Sequence, residues 1–186
     1  MVNVEESQVT ADDRQRAKAV NFGFVFGMGA ETFVVRALAD YNASFTVAEA
    51  RRFREIYLRT YRGVARWQGE IRQRMPLELR TASGRIREFR DKKTGYCERL
   101  NTPIQGTAAD GMKSALVLLR QRLPPLGAQL VLCVHDEVLV EAPIDRAGEV
   151  EIVVKEAMIE GMQRYVKSVP IIVESSIRST WAREGK

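Results

Sequence analysis

The sequence has little of what most metal- and thiol-based sites require. It contains one histidine, His135, and two cysteines, Cys97 and Cys133, which stand far apart with no metal-ligand spacing. A site built from several histidine ligands is therefore excluded, which argues against a metal-dependent phosphohydrolase centred on His135. The two cysteines are expected to be buried or idle thiols in a reducing cytoplasm.

Long apolar runs are also absent, and the first residues are not expected to act as a signal peptide. No run approaches the ~18 residues of a membrane span, and the first residues, MVNVEESQVTADDRQR, are polar and acidic, unlike a signal peptide. The chain has 186 residues, of which 45% are hydrophobic and 28% charged, which predicts a globular cytoplasmic protein with no membrane partner. The net charge of +5 and the pI of about 9.4 favour a polyanionic partner.

What the sequence does contain is a polar triplet between two apolar runs, LVLCVHDEVLV, at residues 130–140. The runs have the length and the β-branched content of short strands, so they predict a hairpin with His135, Asp136 and Glu137 at its turn. Two adjacent carboxylates at a rigid hairpin tip offer hard oxygen ligands, which suit Mg²⁺. A solvated acidic turn between two core strands is the alternative that this stretch leaves open.

The first helix is predicted to begin after Thr10, with Asp12 and Asp13 in its first turn. Four of its residues recur every fourth position and form one slowly drifting stripe, because four residues turn a helix by about 40° beyond a full turn; they are Arg14, Lys18, Phe22 and Phe26. Two cations followed by two aromatics are typical of a surface that grips phosphates and receives a sugar or a base. A solvated cationic end that runs into a buried aromatic end is the alternative.

The rest of the pattern predicts an α+β fold. A short helix over 31–41, a long helix from Thr46 to Met75 with a kink at Gly63, and an exposed hairpin over 77–89 precede the second half. Helices over 102–123 and 144–167, the first beginning at Thr102 and Pro103, are expected to pack on one face of an antiparallel sheet. That sheet is predicted from the 128–141 hairpin and a strand over 170–177.

Three signatures in this sequence resemble those of family A DNA polymerases, the bacterial DNA polymerase I group, in the C-terminal part of the polymerase domain. The first, R-x-x-x-K-x-x-x-F-G-x-x-Y-G, is represented by Arg14, Lys18, Phe22, Gly23, Phe26 and Gly27. The second, N-x-P-x-Q-G-T-A-A-D, covers Asn101, Pro103 and 105–110, and the third, V-H-D-E, covers Val134 to Glu137. They occur in the family's order and span most of the chain.

The resemblance implies a role for each of these residues. Arg14 and Lys18 would hold the phosphates of the incoming deoxynucleoside triphosphate, Phe22 would pack on its sugar, and Gly23 and Phe26 would lie near the templating base. On the DNA side the implied contacts are Gln105 at the minor groove of the primer–template end, Arg99 and Asn101 nearby, and His135 on the primer strand. Asp136 would bind Mg²⁺ with Glu137 beside it, for a two-metal phosphoryl transfer.

The sequence departs from the family pattern in three places. Phe26 stands where the family usually has Tyr, the spacing from Arg99 to Asn101 is short, and the signature D-Y-S-Q-I-E-L-R, which carries the other metal-binding aspartate, is missing. We therefore expect a polymerase fragment, with fingers helices in 1–75 and a partial palm in 76–186, that is inactive alone. Primer–template DNA, a deoxynucleoside triphosphate and an upstream polymerase fragment are the expected partners. A non-catalytic, basic nucleic-acid-binding module is the alternative.

Overall fold

The computed structural model describes residues 5–181 and is a mixture of helices and two small antiparallel sheets. The helices are α1 (Ala11–Val25), α2 (Ala30–Tyr41), α3 (Val47–Thr60), α4 (Arg62–Arg74), α5 (Tyr96–Arg122) and α6 (Ala147–Gln163). The strands are β1 (Glu78–Arg80), β2 (Ile86–Glu88), β3 (Gln129–Val134) and β4 (Glu137–Glu141), which pair as β1–β2 and β3–β4. Within the described range no helix is long and apolar enough to cross a membrane.

Sequence signals set most helix ends. Thr10 and Thr46 each form a capping box with the acidic residue three positions later, Asp13 and Glu49, so that two backbone N–H groups at each helix start find acceptors. Asn42 ends α2 in the left-handed conformation, with φ of 52°, which asparagine tolerates better than most residues. These three boundaries agree with the sequence analysis.

The predicted long helix from Thr46 to Met75 is wrong, because the chain forms two helices there. α3 ends at Thr60 and α4 starts at Arg62, with Tyr61 between them at φ −100° and ψ 69°. The break lies two residues before Gly63, where a kink was expected. The Tyr61 ring packs on the Tyr57 ring, with centroids 4.8 Å apart, so an aromatic contact accompanies the break.

The chain packs as two compact units. The first combines the residues up to Leu79 with Arg87–Thr102, and the second combines Arg80–Ile86 with the residues from Pro103 onward. This grouping by packing does not test the predicted functional division into 1–75 and 76–186, which remains a prediction.

The first unit has an aromatic core. Phe24 and Phe33 are each 1% exposed and their rings stack with centroids 4.5 Å apart. Phe45 joins Phe33 at 5.0 Å, and Tyr57 lies 6.2 Å from Phe24. Small aliphatic residues of α1, α2, α3 and the α2–α3 connection fill the spaces around these rings: Ala19, Val20, Ala30, Ala37, Ala43 and Ala50. Close packing around large rings is a strong stabilising contribution, because each buries a large apolar area.

The second unit builds its core where α5, β4 and α6 meet. Leu119, Leu123 and Ala157 are almost fully buried, and Val138 and Val140 of β4 pack against the same cluster. The predicted hairpin and the two helices that pack on it are therefore present.

Two other expectations for the second half are wrong. The segment 170–177 forms no strand, and its Ser175 hydroxyl donates to the Glu151 carboxylate of α6. α5 begins at Tyr96, not at Thr102, so Pro103 lies inside it. Of the two alternatives for the cysteines, buried or idle thiols, the structure contradicts burial, because Cys97 and Cys133 are both free and exposed.

Candidate active site

The polar triplet lies at the tip of the β3–β4 hairpin, as the sequence predicts. Val134 pairs with Glu137, so His135 and Asp136 alone form the turn. His135 has φ of 54°, a left-handed conformation that two-residue hairpin turns use and that histidine adopts more often than most residues. The register also shifts between Leu130 and Leu132, which leaves Val131 as an extra residue in β3. Such bulges bend a strand and change where its end points.

The hairpin tip lines one groove of the second unit together with the predicted minor-groove residue. Gln105 of α5 and His135, Asp136 and Glu137 of the tip all border this open groove of about 1830 Å³. All four side chains are exposed. The structure therefore brings four of the predicted site residues to one accessible surface.

The acidic pair at the hairpin tip supplies the predicted metal ligands of this surface. Asp136 and Glu137 are oxygen ligands of the kind that Mg²⁺ prefers. Among residues 5–181 no group of three or more histidine, cysteine, aspartate or glutamate side chains is arranged to hold a metal ion. The Trp181 indole N–H reaches a Glu137 carboxylate oxygen at 3.5 Å, which is too long for a strong hydrogen bond. The pair fits one side of a Mg²⁺ site.

The cationic and aromatic stripe of α1 points away from the aromatic core. Arg14, Lys18 and Phe22 are all exposed, Phe22 by 52%, whereas the core side of the helix carries Val20 and Phe24. Within the described residues neither cation of the stripe forms an ion pair. The alternative interpretation requires a buried aromatic end, but the Phe22 ring is exposed. The face is available to a phosphate-bearing ligand.

The other residues of the first signature lie where α1 ends. Phe26 is the C-cap residue and is half-buried. Gly23 is buried, and a Cβ at this position would lie 2.6 Å from a ring carbon of Phe33. A side chain larger than hydrogen there would push into the aromatic core. Gly23 therefore has a packing role in addition to the predicted place near the templating base.

Arg99 is the predicted site residue with the most distinctive surroundings. It is fully buried, and its guanidinium donates to the backbone carbonyls of Pro76 (2.9 Å), Asp91 and Thr94. Its Cζ lies 4.1 Å from the centroid of the Phe89 ring. These contacts hold the loop before α5 in place. They compensate for the hydrogen bond that Pro103, which has no N–H, cannot donate, so the helix can start as early as Tyr96. Asn101, two residues later, is half-buried.

Sequence reasoning missed a polar cluster around Asp110. One carboxylate oxygen accepts hydrogen bonds from Thr81 and Ser83, both at 2.6 Å, and the other accepts one from Arg85 Nε at 2.8 Å. Burial alone would raise the pKa of Asp110, but hydrogen bonds from Ser83, Thr81 and Arg85, and the Arg85 charge, lower it to about 2. The aspartate belongs to the second signature, but the hairpin that contacts it carries no signature.

Comparisons with known proteins agree with this geometry. The sequence model of DNA polymerase family A matches residues 1–183. DNA polymerase I of Aquifex aeolicus is 30% identical over 97% of this chain and 32% of its own length, and the thermostable DNA polymerase I of Thermus aquaticus is 37% identical over 97% of this chain and 22% of its length. The chain thus spans a third or less of the curated relatives it matches.

A solved structure has the same fold over most of the chain. The POL domain of Pol1 from M. smegmatis, in a complex with DNA primer-template and dNTP, superposes with a TM-score of 0.72 and 28% sequence identity. The superposition covers 85% of this chain and 29% of that structure's chain. Sequence, fold and the three ordered signatures lead to one conclusion: the chain belongs to DNA polymerase family A.

Proposed function

We propose that this chain supplies the nucleotide-binding helix and the acidic hairpin of a template-directed DNA polymerase. The reaction is nucleotidyl transfer, in which the primer 3′ hydroxyl attacks the α-phosphate of a deoxynucleoside triphosphate and pyrophosphate leaves. The observation that carries this proposal is the exposed Asp136–Glu137 pair at the hairpin tip, in the same groove as Gln105 and His135. Residues 1–75 act as fingers and 76–186 as part of the palm of a cytoplasmic enzyme.

The stripe of α1 binds the incoming nucleotide. Arg14 and Lys18 hold its phosphates by charge-assisted hydrogen bonds, which are stronger than neutral ones. Phe22 packs on the sugar, and its exposed ring leaves room for that contact. Phe26 and Gly23 lie near the templating base at the end of the same helix.

The primer and template are held mainly from the second signature and the hairpin tip. Gln105 contacts the minor groove of the primer–template end, Asn101 lies beside it, and His135 touches the primer strand. Arg99 serves DNA binding through its hold on the loop before α5, because its own guanidinium is occupied by three carbonyls.

Asp136 and Glu137 are the residues that would hold Mg²⁺. Two bound divalent cations would stabilise the attacking and leaving oxygens of the transfer. Asp136 is the principal ligand and Glu137 the secondary one. Both carboxylates belong to one hairpin tip, whereas a two-metal site has metals about 4 Å apart and needs bridging carboxylates from both sides. The 186 residues therefore hold only one side of the site.

An upstream polymerase fragment completes the site. In the described part of the chain β3 and β4 form a two-stranded sheet, and β3 exposes Leu130, Val131 and Val134. A strand edge with free N–H and C=O groups and an uncovered apolar surface is a docking site for a further strand. A strand that carries the missing aspartate would then lie beside the hairpin tip.

Primer extension with an added upstream fragment tests this proposal. The D-Y-S-Q-I-E-L-R part of a family A polymerase, supplied as a separate polypeptide with Mg²⁺, is expected to restore extension by this chain. Asp136→Ala should abolish the restored activity, and Glu137→Ala should reduce it less.

The competing function is a basic nucleic-acid-binding module with no chemistry, which the net charge of +5 favours. Both functions predict binding to primer–template DNA that weakens steeply as salt rises, because phosphate contacts release counterions. Salt-dependent binding without extension in the presence of the upstream fragment would favour the module. Binding that ignores salt would contradict both functions.

A further inference from the structure

The tip of the β1–β2 hairpin is held against the turn of α5 that carries Gln105. The backbone N–H of Ala82 donates to the Thr107 hydroxyl at 2.9 Å, and Arg85 Nη2 donates to the carbonyl of Gly106 at 3.0 Å. With the three bonds to Asp110 described above, five hydrogen bonds join residues 81–85 to residues 106–110.

The helix needs external support at this turn. Pro103 has no N–H and removes one hydrogen bond of the helix, and the Thr107 hydroxyl donates back to the Pro103 carbonyl at 2.6 Å. Such back-bonding slightly destabilises a helix and can bend it. Gly106 adds backbone freedom at the next residue after Gln105. Gln105 therefore lies in the part of α5 where Pro103, Gly106 and Thr107 weaken the helix's own support.

The close approach of the hairpin also accounts for Gly106. A Cβ at this position would lie 2.5 Å from Thr81 Cγ2, so only glycine lets the tip come this near. Thr81, Thr107 and Asp110 are each less than 9% exposed. Their polar atoms are therefore shielded from water, and their hydrogen bonds have well-defined geometry.

We infer that Asp110, with Thr81, Ser83 and Arg85, is a positioning cluster that orients Gln105 toward the primer–template end. The role rests on the proposed function, because it acts through the DNA contact of Gln105. Asp110 itself is buried. Its two oxygens accept three hydrogen bonds from the hairpin tip, and the tip in turn donates to the Gly106 carbonyl and to the Thr107 hydroxyl.

A double-mutant cycle on DNA binding by the full 186-residue chain tests the role. The dissociation constant for a primer–template duplex is measured at fixed salt for Gln105→Ala, for Arg85→Met and for the double variant. Gln105→Ala is expected to weaken binding about three- to tenfold. Arg85→Met should weaken binding by a similar factor in the native background and by less than about twofold once Gln105 is gone, because interacting residues are not additive.

Arg87→Met is the matched control. Arg87 belongs to the same hairpin, is 52% exposed and makes no contact with Asp110. It removes the same charge, so it should weaken binding equally with and without Gln105. Ser83→Ala repeats the test without any loss of charge, which keeps the cycle informative if Arg85→Met fails to fold.

Two results would overturn the assignment in distinguishable ways. A clear effect of Gln105→Ala with fully additive effects of Arg85→Met and Ser83→Ala would remove the positioning role and leave the DNA contact intact. No effect of Gln105→Ala would remove the proposed DNA contact and the positioning role together.

Discussion

The two compact units differ in how their cores are built, from aromatic rings in the first and from aliphatic side chains in the second, and both expose some large apolar side chains, such as Val35 and Leu38 of α2. Among the described residues of the first unit, one buried cluster contains four aromatic rings that touch one another. Phe24 contacts Phe33 and Tyr57, and Phe33 contacts Phe45. In the second, β4 packs on the helices while β3 leaves Leu130 37%, Val131 51% and Val134 42% exposed. The extended segment after α6 likewise exposes Ile172 by 81%.

The two units also differ in how their elements satisfy their backbone groups. An α-helix pairs its backbone groups internally except at its ends, whereas a strand needs neighbouring strands. A two-stranded hairpin is marginal unless other strands or helices cover it. The cationic and aromatic stripe of α1 therefore lies on a helix with an aromatic core behind it, and the acidic tip lies on a hairpin that is covered by α5 and α6 on the β4 side.

The largest expected effect is the loss of folding stability when a core ring of the first unit is truncated, and it can be compared with a truncation in β3 of the second unit. Phe24→Ala removes a ring that is 1% exposed and stacked on Phe33, so the free energy of unfolding should fall by about 3–5 kcal/mol. Val131→Ala, at a side chain that is 51% exposed, should lower it by less than about 1 kcal/mol. Urea unfolding, followed by tryptophan fluorescence, measures both. Similar losses for the two variants would show that β3 is covered in solution.

Substitutions in the stripe of α1 should weaken nucleotide binding without lowering the stability of the fold. In a polymerase that contains this chain and the parts its longer relatives add, Arg14→Ala and Lys18→Ala each remove a contact worth on the order of 1.5–3 kcal/mol. Nucleotide binding should weaken about 10- to 150-fold at an unchanged melting temperature. Arg52→Ala, an exposed cation of α3 outside the stripe, serves as the control. If all three variants bind the nucleotide equally well, the stripe is a solvated surface and not a nucleotide-binding site.

The Asp110 cluster should make stability depend on acid. The folded-state pKa is about 2 and the ordinary value is 3.8, so the carboxylate stabilises the folded chain above pH 4. That contribution, on the order of 2 kcal/mol, is lost as pH falls from about 4 to 2. Asp110→Asn should lower stability at neutral pH and flatten the dependence in this window. An unchanged slope between pH 4 and pH 2 in Asp110→Asn would contradict the hydrogen-bonded carboxylate.

Much of the fold could be predicted because local signals and packing agree there. Thr10 and Thr46 cap their helices, Asn42 ends α2, and the β-branched runs around His135 form the hairpin. The exposed face of α1 was predictable for a related reason. Arg14, Lys18 and Phe22 recur at helical spacing, so one face had to carry all three.

What could not be predicted depends on contacts distant in sequence. The early start of α5 depends on Arg99, whose guanidinium binds carbonyls as far away as Pro76. The missing strand over 170–177 depends on a pairing edge, which no local pattern reveals. The sequence marks Asp110 only as a residue of the second signature. Its hydrogen-bond partners Thr81 and Ser83 lie 29 and 27 positions earlier, so no local pattern links them to it.

Primer extension by the highly purified 186-residue chain, with Mg²⁺ and no other polypeptide, tests the central claim most directly. The account predicts no extension, since Asp136 and Glu137 supply one side of the metal site only, and it predicts the same null result for Asp136→Ala. Robust extension by the native chain that disappears in Asp136→Ala would contradict the account, because it would show that this chain completes its own catalytic site.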